Sequence, residues 1–119
     1  GVLTFEEEAT FARNEVRTDD STDQGMGGAI SNIGSGSIVF KGKLVMEENK
    51  AEGFFEGLGG AIYNRGDIVV EAESEFHTNE ASDGGAIFQT AIGTMVFNSM
   101  ATFTYNVVSS MHGGAIYNV

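Results

Sequence analysis

Gly27-Gly28-Ala29-Ile30 returns as Gly59-Gly60-Ala61-Ile62, Gly84-Gly85-Ala86-Ile87 and Gly113-Gly114-Ala115-Ile116, at spacings of 32, 25 and 29 residues. Self-similarity at such a period is the mark of a stacked repeat, in which each unit is one turn of chain that buries its apolar face only against its neighbours.

A second anchor alternates with the first. It reads Phe11-Ala12-Arg13-Asn14, Met46-Glu47-Glu48-Asn49, Phe76-His77-Thr78-Asn79 and Phe103-Thr104-Tyr105-Asn106. Eight residues before each lies Leu3, Ile38, Ile68 or Met95, and two residues before that is always glycine, at Gly1, Gly36, Gly66 and Gly93. This block carries the register. The segments between each Asn and the next Gly-Gly vary from 4 to 12 residues (15 to 26, 50 to 58, 80 to 83 and 107 to 112), which is expected of surface loops on one side of a regular stack.

Within the block the period is two. Counting from the aliphatic position, offset 2 holds Phe5, Phe40, Val70 and Phe97, and offset 8 holds Phe11, Met46, Phe76 and Phe103, whereas offset 3 holds Glu6, Lys41, Glu71 and Asn98. Alternation with β-branched and aromatic enrichment predicts strand with even offsets inward. Offset 4, with Glu7, Gly42, Ala72 and Ser99, breaks the alternation and predicts a corner.

Turns of about 25 to 35 residues, with short strands and small corner residues, match one coil of a parallel β-helix. Helical repeats fit poorly, because each of the 17 glycines would cost about 1 kcal/mol inside a helix. The absence of proline agrees, since proline removes a ladder hydrogen bond. In register, Asn14, Asn49, Asn79 and Asn106 should lie about 4.8 Å apart and form an amide ladder, with Asn32, Asn64, Gln89 and Asn118 making a second. The inward column Phe11, Met46, Phe76 and Phe103 should form one continuous stack. At offsets 3 and 5, Lys41 should fall between Glu6 and Glu71, and Lys43 between Glu8 and Glu73.

The 119 residues form a single segment, 1–119, with repeat units at about 1–30, 36–62, 66–87 and 93–116. The segment opens in mid-repeat at Gly1 and closes just after the last tetrapeptide, and so reads as part of a longer stack. There is no cysteine for disulfides or thiolate metal sites, and a net charge of −11 argues against nucleic acid and anionic membrane surfaces as partners. Every Lys, Arg, Asp and Glu lies between Glu6 and Asp83, leaving residues 84–119 without one. An uncharged, apolar final coil suggests further coils of the parent chain, or end-to-end self-association through 84–119.

These residues resemble the repeat signature of the chlamydial polymorphic outer membrane proteins, Gly-Gly-Ala-Ile followed by Phe-x-x-Asn. The resemblance covers nearly the whole chain, with Met46 replacing Phe in one copy. It implies a right-handed parallel β-helix of about four coils, an autotransporter-like passenger at the cell surface or outside the cell, outer membrane associated, and a role in adhesion through a surface protein or glycan.

Catalysis is the competing class, because pectate lyases and related polysaccharide enzymes use the same fold. A polysaccharide lyase or glycoside hydrolase needs clustered acids beside a base. The candidates are Asp67 and Glu71 near Arg65, and Asp19, Asp20 and Asp23 near Arg17, the latter also a candidate for weak calcium binding. His77 and His112 sit at different offsets without a second ligand at spacing and read as surface side chains. Arg65-Gly66-Asp67 spells an integrin-recognition tripeptide in a turn expected to be exposed. The balance favours a non-enzymatic scaffold, with no catalytic, cofactor or metal residues, over a carbohydrate-binding or polysaccharide-degrading β-helix.

Overall fold

The structure is a computed structural model that describes residues 1–19, 23–54, 56–110 and 112–119. Its described residues form strands joined by tight corners, with no helix. The first repeat contributes β1 (Val2–Phe5), β2 (Ala9–Ala12), β3 (Glu15–Thr18), β4 (Gln24–Met26) and β5 (Ile30–Asn32). The second contributes β6 (Ser37–Phe40), β7 (Leu44–Glu47), β8 (Lys50–Gly53), β9 (Glu56–Leu58) and β10 (Ile62–Asn64). The third holds β11 (Asp67–Val70), β12 (Ser74–His77), β13 (Glu80–Ala81) and β14 (Ile87–Gln89), and the fourth β15 (Thr94–Phe97), β16 (Ala101–Thr104), β17 (Val107–Val108) and β18 (Ile116–Asn118).

Each repeat lends one strand to each of four parallel sheets, ordered β1-β6-β11-β15, β2-β7-β12-β16, β3-β8-β13-β17 and β5-β10-β14-β18. This all-β arrangement of stacked parallel sheets is consistent with a β-helix. The register is the expected one: Leu3, Ile38, Ile68 and Met95 are mutual partners along the first sheet, and Phe11, Met46, Phe76 and Phe103 along the second. Even offsets are buried in the two middle repeats, where Phe40, Leu44, Met46, Ile68, Val70 and Phe76 have no exposed surface. Each such burial contributes about 1.5 to 3 kcal/mol. The Phe11, Met46, Phe76 and Phe103 column is in register throughout, but Met46 interrupts its rings: Phe76 stacks on Phe103 at 4.7 Å between centroids, while the Phe5–Phe40 stack at 4.8 Å belongs to the offset-2 column.

Four corners turn the chain in each repeat, the fourth leading from the last strand of one repeat to the first of the next, as between Asn32 and Ser37 with Gly34 at φ +103°. The first lies at offset 4, between β1 and β2 and their equivalents, as expected. The third is the Gly-Gly pair: Gly59 sits at φ +69°, and a Cβ on Gly60 would lie 2.1 Å from the Gly85 carbonyl oxygen of the next repeat, so one glycine is needed for conformation and the other for space. The second corner was not foreseen. Arg13, Glu48, Thr78 and Tyr105 all occupy the left-handed region, at φ 52° to 57°, immediately before the ladder asparagines.

The variable segments require a correction. Residues 15 to 26, 50 to 58, 80 to 83 and 107 to 112 are not simply loops: Val16, Ala51, Ala81 and Val108 share one column of a hydrogen-bonded sheet, with Ala51 and Ala81 buried. The first two repeats add a fifth strand each, β4 pairing β9 through Gln24↔Glu56, Gly25↔Gly57 and Met26↔Leu58. Length variation is therefore absorbed beyond a common third strand. The small inward side chains, alanine in two of four repeats, hid the alternation that marks it.

Candidate functional site

The invariant polar residues are used internally. Asn14 donates from its backbone N–H and from Nδ2 to Asn49 Oδ1, both at 3.0 Å; Asn49 does the same to Asn79 Oδ1, and Asn79 to Asn106 Oδ1. Each ladder amide above the first also donates to a carbonyl one repeat below, as Asn79 Nδ2 does to Met46 O. In the second ladder Asn32 Nδ2 donates to Asn64 Oδ1 and Asn64 Nδ2 to Gln89 Oε1, each at 2.8 Å. The longer glutamine then folds back, donating to the Thr90 carbonyl. Buried amides so paired hold the turns in register and leave little for a ligand.

What varies faces outward. The corner side chains Arg13, Glu48, Thr78 and Tyr105 are all exposed, Tyr105 by 86%. Charges along the sheets are alternated: Lys41 Nζ lies 3.0 Å from Glu6, and Glu15, Lys50 and Glu80 share one column with Lys50 3.4 Å from Glu80. Lys43 departs from its expected pairing, meeting Glu75 at 2.9 Å while Glu8 and Glu73 act on it only through their fields. The hydrogen bond with Glu75 raises the Lys43 pKa above its ordinary value, and that with Glu52 raises Lys50 likewise.

The catalytic candidates do not assemble. Asp67 begins β11 and accepts a 2.6 Å hydrogen bond from Thr94 Oγ1, while Glu71 follows that strand's end, about 13 Å further along an extended chain. Asp19 pairs with Arg17 at 3.4 Å, and the Asp23 backbone carbonyl accepts from Thr18 Oγ1; Asp20 lies outside the described residues. Among the described residues no three His, Cys, Asp or Glu side chains converge as a metal site would need. In Arg65-Gly66-Asp67 the two charged residues are exposed, but Gly66 is buried between Gly36 and Gly93 of adjacent repeats, so the tripeptide runs along the stack and does not project from it.

Both histidines are partnered across repeats. His77 Nε2 lies 3.1 Å from Glu47 on the neighbouring strand. The buried Asp83 carboxylate accepts from the His112 backbone N–H at 2.9 Å, with the His112 ring nitrogen Nδ1 at 3.1 Å. That ring also stacks on Tyr117, at the end of an outward aromatic column of Tyr63, Phe88 and Tyr117. Residues Gln24, Glu56, Asp83, His112 and Tyr117 line an open groove of about 290 Å³ beside it. The column was legible in the residue after each Gly-Gly-Ala-Ile, which is Ser31, Tyr63, Phe88 and Tyr117. The Asp83–His112 pair was not, since it joins variable segments of unequal length.

No family model matches the chain, and no solved structure matches it. Over 85 residues, 66% of this chain, it is 39% identical to the probable outer membrane protein pmp19 of Chlamydia pneumoniae. The chain spans 8% of that relative's length. The similarity supports a relationship of this repeat stack to polymorphic outer membrane proteins of the pmp type.

Proposed function

We propose that the chain is a segment of a right-handed parallel β-helix that acts as a non-enzymatic scaffold at the cell surface, outer membrane associated, and takes part in adhesion. Right-handed crossing is the general rule for parallel strands joined within one sheet. One observation carries the functional reading: every side chain held constant between repeats turns inward or into a ladder, while the exposed corner column reads Arg13, Glu48, Thr78, Tyr105, four different chemistries on one rigid support. Constant core with variable outer surface suits display, and the similarity to an outer membrane protein supports the location. The polysaccharide-acting alternative gains little from the aromatic column, because Tyr63 and Phe88 turn their ring faces to each other at 5.6 Å and His112 covers one face of Tyr117.

Beads coated with the chain test this on cultured epithelial cells. Binding above that of albumin-coated beads is expected, and it should fall when Arg13, Glu48, Thr78 and Tyr105 are replaced together by glycine, which tolerates their backbone conformation. Binding equal to albumin would remove the adhesive reading.

A further inference from the structure

The turn that leads from one repeat to the next varies in length while the strands on either side of it do not. Asn32, Asn64 and Gln89 are partners in one sheet, and Ser37, Asp67 and Thr94 in another, so each connection crosses the same gap. Residues 33–36 cross it after the first repeat and 90–93 after the third, but only Arg65 and Gly66 after the second. The two extra residues of each longer turn must project, and the short turn between them floors an open recess of about 560 Å³. Ile33 and Ile92 line it from opposite sides, with Arg65, Gly66 and Asp67 between them. Walls and floor all lie within the first three repeats, facing one another, so the recess needs no free outer end.

Its width and its charge limit what can enter. Neighbouring repeats lie about 4.8 Å apart, so the two walls stand about 10 Å from each other, room for one aliphatic side chain in contact with both. The floor is fixed: the Arg65 backbone N–H donates to the Asn32 carbonyl at 2.8 Å, and Gly66 is buried, with no space for a Cβ beside the Gly34 and Gly36 carbonyls. Among the described residues Arg17, Lys41, Lys43 and Lys50 each lie in an ion pair, whereas Arg65, exposed and two residues from Asp67, lies in none. Asp67 instead accepts from Thr94 Oγ1 at 2.6 Å. A guanidinium takes a carboxylate through two parallel N–H bonds, so an unpaired one attracts an acid even in a chain of net charge −11. Asp67 beside it opposes a doubly charged phosphate but can accept from a backbone N–H. Aliphatic walls favour the methylenes of an acidic side chain over the hydroxyls of an acidic sugar, which would lose their partners there.

We infer that the recess binds a glutamate carried on an extended segment of a partner protein. Its carboxylate meets the Arg65 guanidinium, its methylenes lie between Ile33 and Ile92, and a flanking backbone N–H donates to the Asp67 carboxylate. The site is at a different corner from Arg13, Glu48, Thr78 and Tyr105, so it stands apart from the adhesive reading.

The probe is acetyl-Ala-Glu-Ala-amide, titrated into the isotope-labelled chain at low salt and followed by amide resonance shifts. Shifts confined to Gly34, Ser35, Gly66 and Ile92 are expected, with a dissociation constant of about 5 mM or below when the peptide is taken to about 20 mM. Arg65→Gln, and separately the same peptide with glutamine in place of glutamate, should each weaken binding by about tenfold. Ile33→Ser with Ile92→Ser should weaken it by about fivefold. Circular dichroism checks each fold, and Arg65→Lys, which keeps the charge without the fork, replaces Arg65→Gln should that variant not fold; its expected loss is about threefold. No shift at these amides at the highest peptide concentration, or equal binding of the two peptides, overturns the inference. So does glucuronate binding here more tightly than the glutamate peptide, because the occupant is then an acidic sugar.

Discussion

Thr78 sits at φ +57°, a conformation that costs a β-branched residue more than most, and it persists because both neighbours in the chain direction are fixed. Asn79 beyond it makes ladder bonds up and down, and Phe76 before it is fully buried. The same over-determination holds at Arg13, Glu48 and Tyr105, so the corner tolerates any outward side chain. Ser74 is the contrasting case. It lies in the inward column between Leu44 and Ala101, is 1% exposed, and its hydroxyl has no hydrogen-bond partner among the described residues. An unpaired buried hydroxyl costs about 1 to 3 kcal/mol. Ser74→Ala should therefore stabilise the protein by about 1 kcal/mol, read as a rise in thermal midpoint of about 4 °C. A lower midpoint would mean that the hydroxyl has a partner.

At the scale of the element, strands are held in register by inward shape and by outward charge. Lys41 beside Glu6, and Lys43 beside Glu75, break what would otherwise be acidic columns on adjoining faces. Lys41→Glu with Lys43→Glu should lower the thermal midpoint at low salt, with the loss shrinking as salt screens these exposed groups. An unchanged midpoint at low salt would show that neither lysine relieves repulsion. The sign with pH follows from the raised pKa of Lys43 and Lys50. A raised folded pKa gives stability that is complete below the ordinary lysine value of 10.5 and lost as pH climbs through the higher folded one. Alkaline titration of unfolding free energy should show this decline, smaller in a Lys43→Gln, Lys50→Gln double variant.

Across the whole molecule, which measures 38 × 29 × 22 Å, the segment after each ladder asparagine belongs to the stack. Replacing residues 15 to 26 by a short Gly-Ser link removes β3 and β4, and with them one of the two partners of β8 and the strand paired with β9. The cost should be about 3 kcal/mol or more, from lost burial of Val16 and several backbone hydrogen bonds. Trypsin should then cut faster after Lys50, which loses its Glu15 partner and is left with Glu80 on one side only. A variant as stable and as resistant as the wild type would return this segment to the status of a loop.

The sequence alone determined the repeat, the register across the four repeats, the inward faces, the first amide ladder and the second as far as Gln89, because each recurs at fixed offsets and a one-residue slip would turn the whole pattern over. Met46 standing in for phenylalanine and Gln89 for asparagine did not obscure it. The tertiary structure decided what fixed offsets cannot carry. The third sheet, β3-β8-β13-β17, escaped because its inward positions, Val16, Ala51, Ala81 and Val108, begin segments of unequal length. Lys43 chose Glu75 over Glu73 because a long side chain reaches the strand beside it as easily as the corner above. Asp83 met His112 only through the pairing of segments that share no spacing. Local periodicity writes the stack into the chain, whereas side-chain partners on its surface are settled by distances that exist only once the turns lie on one another.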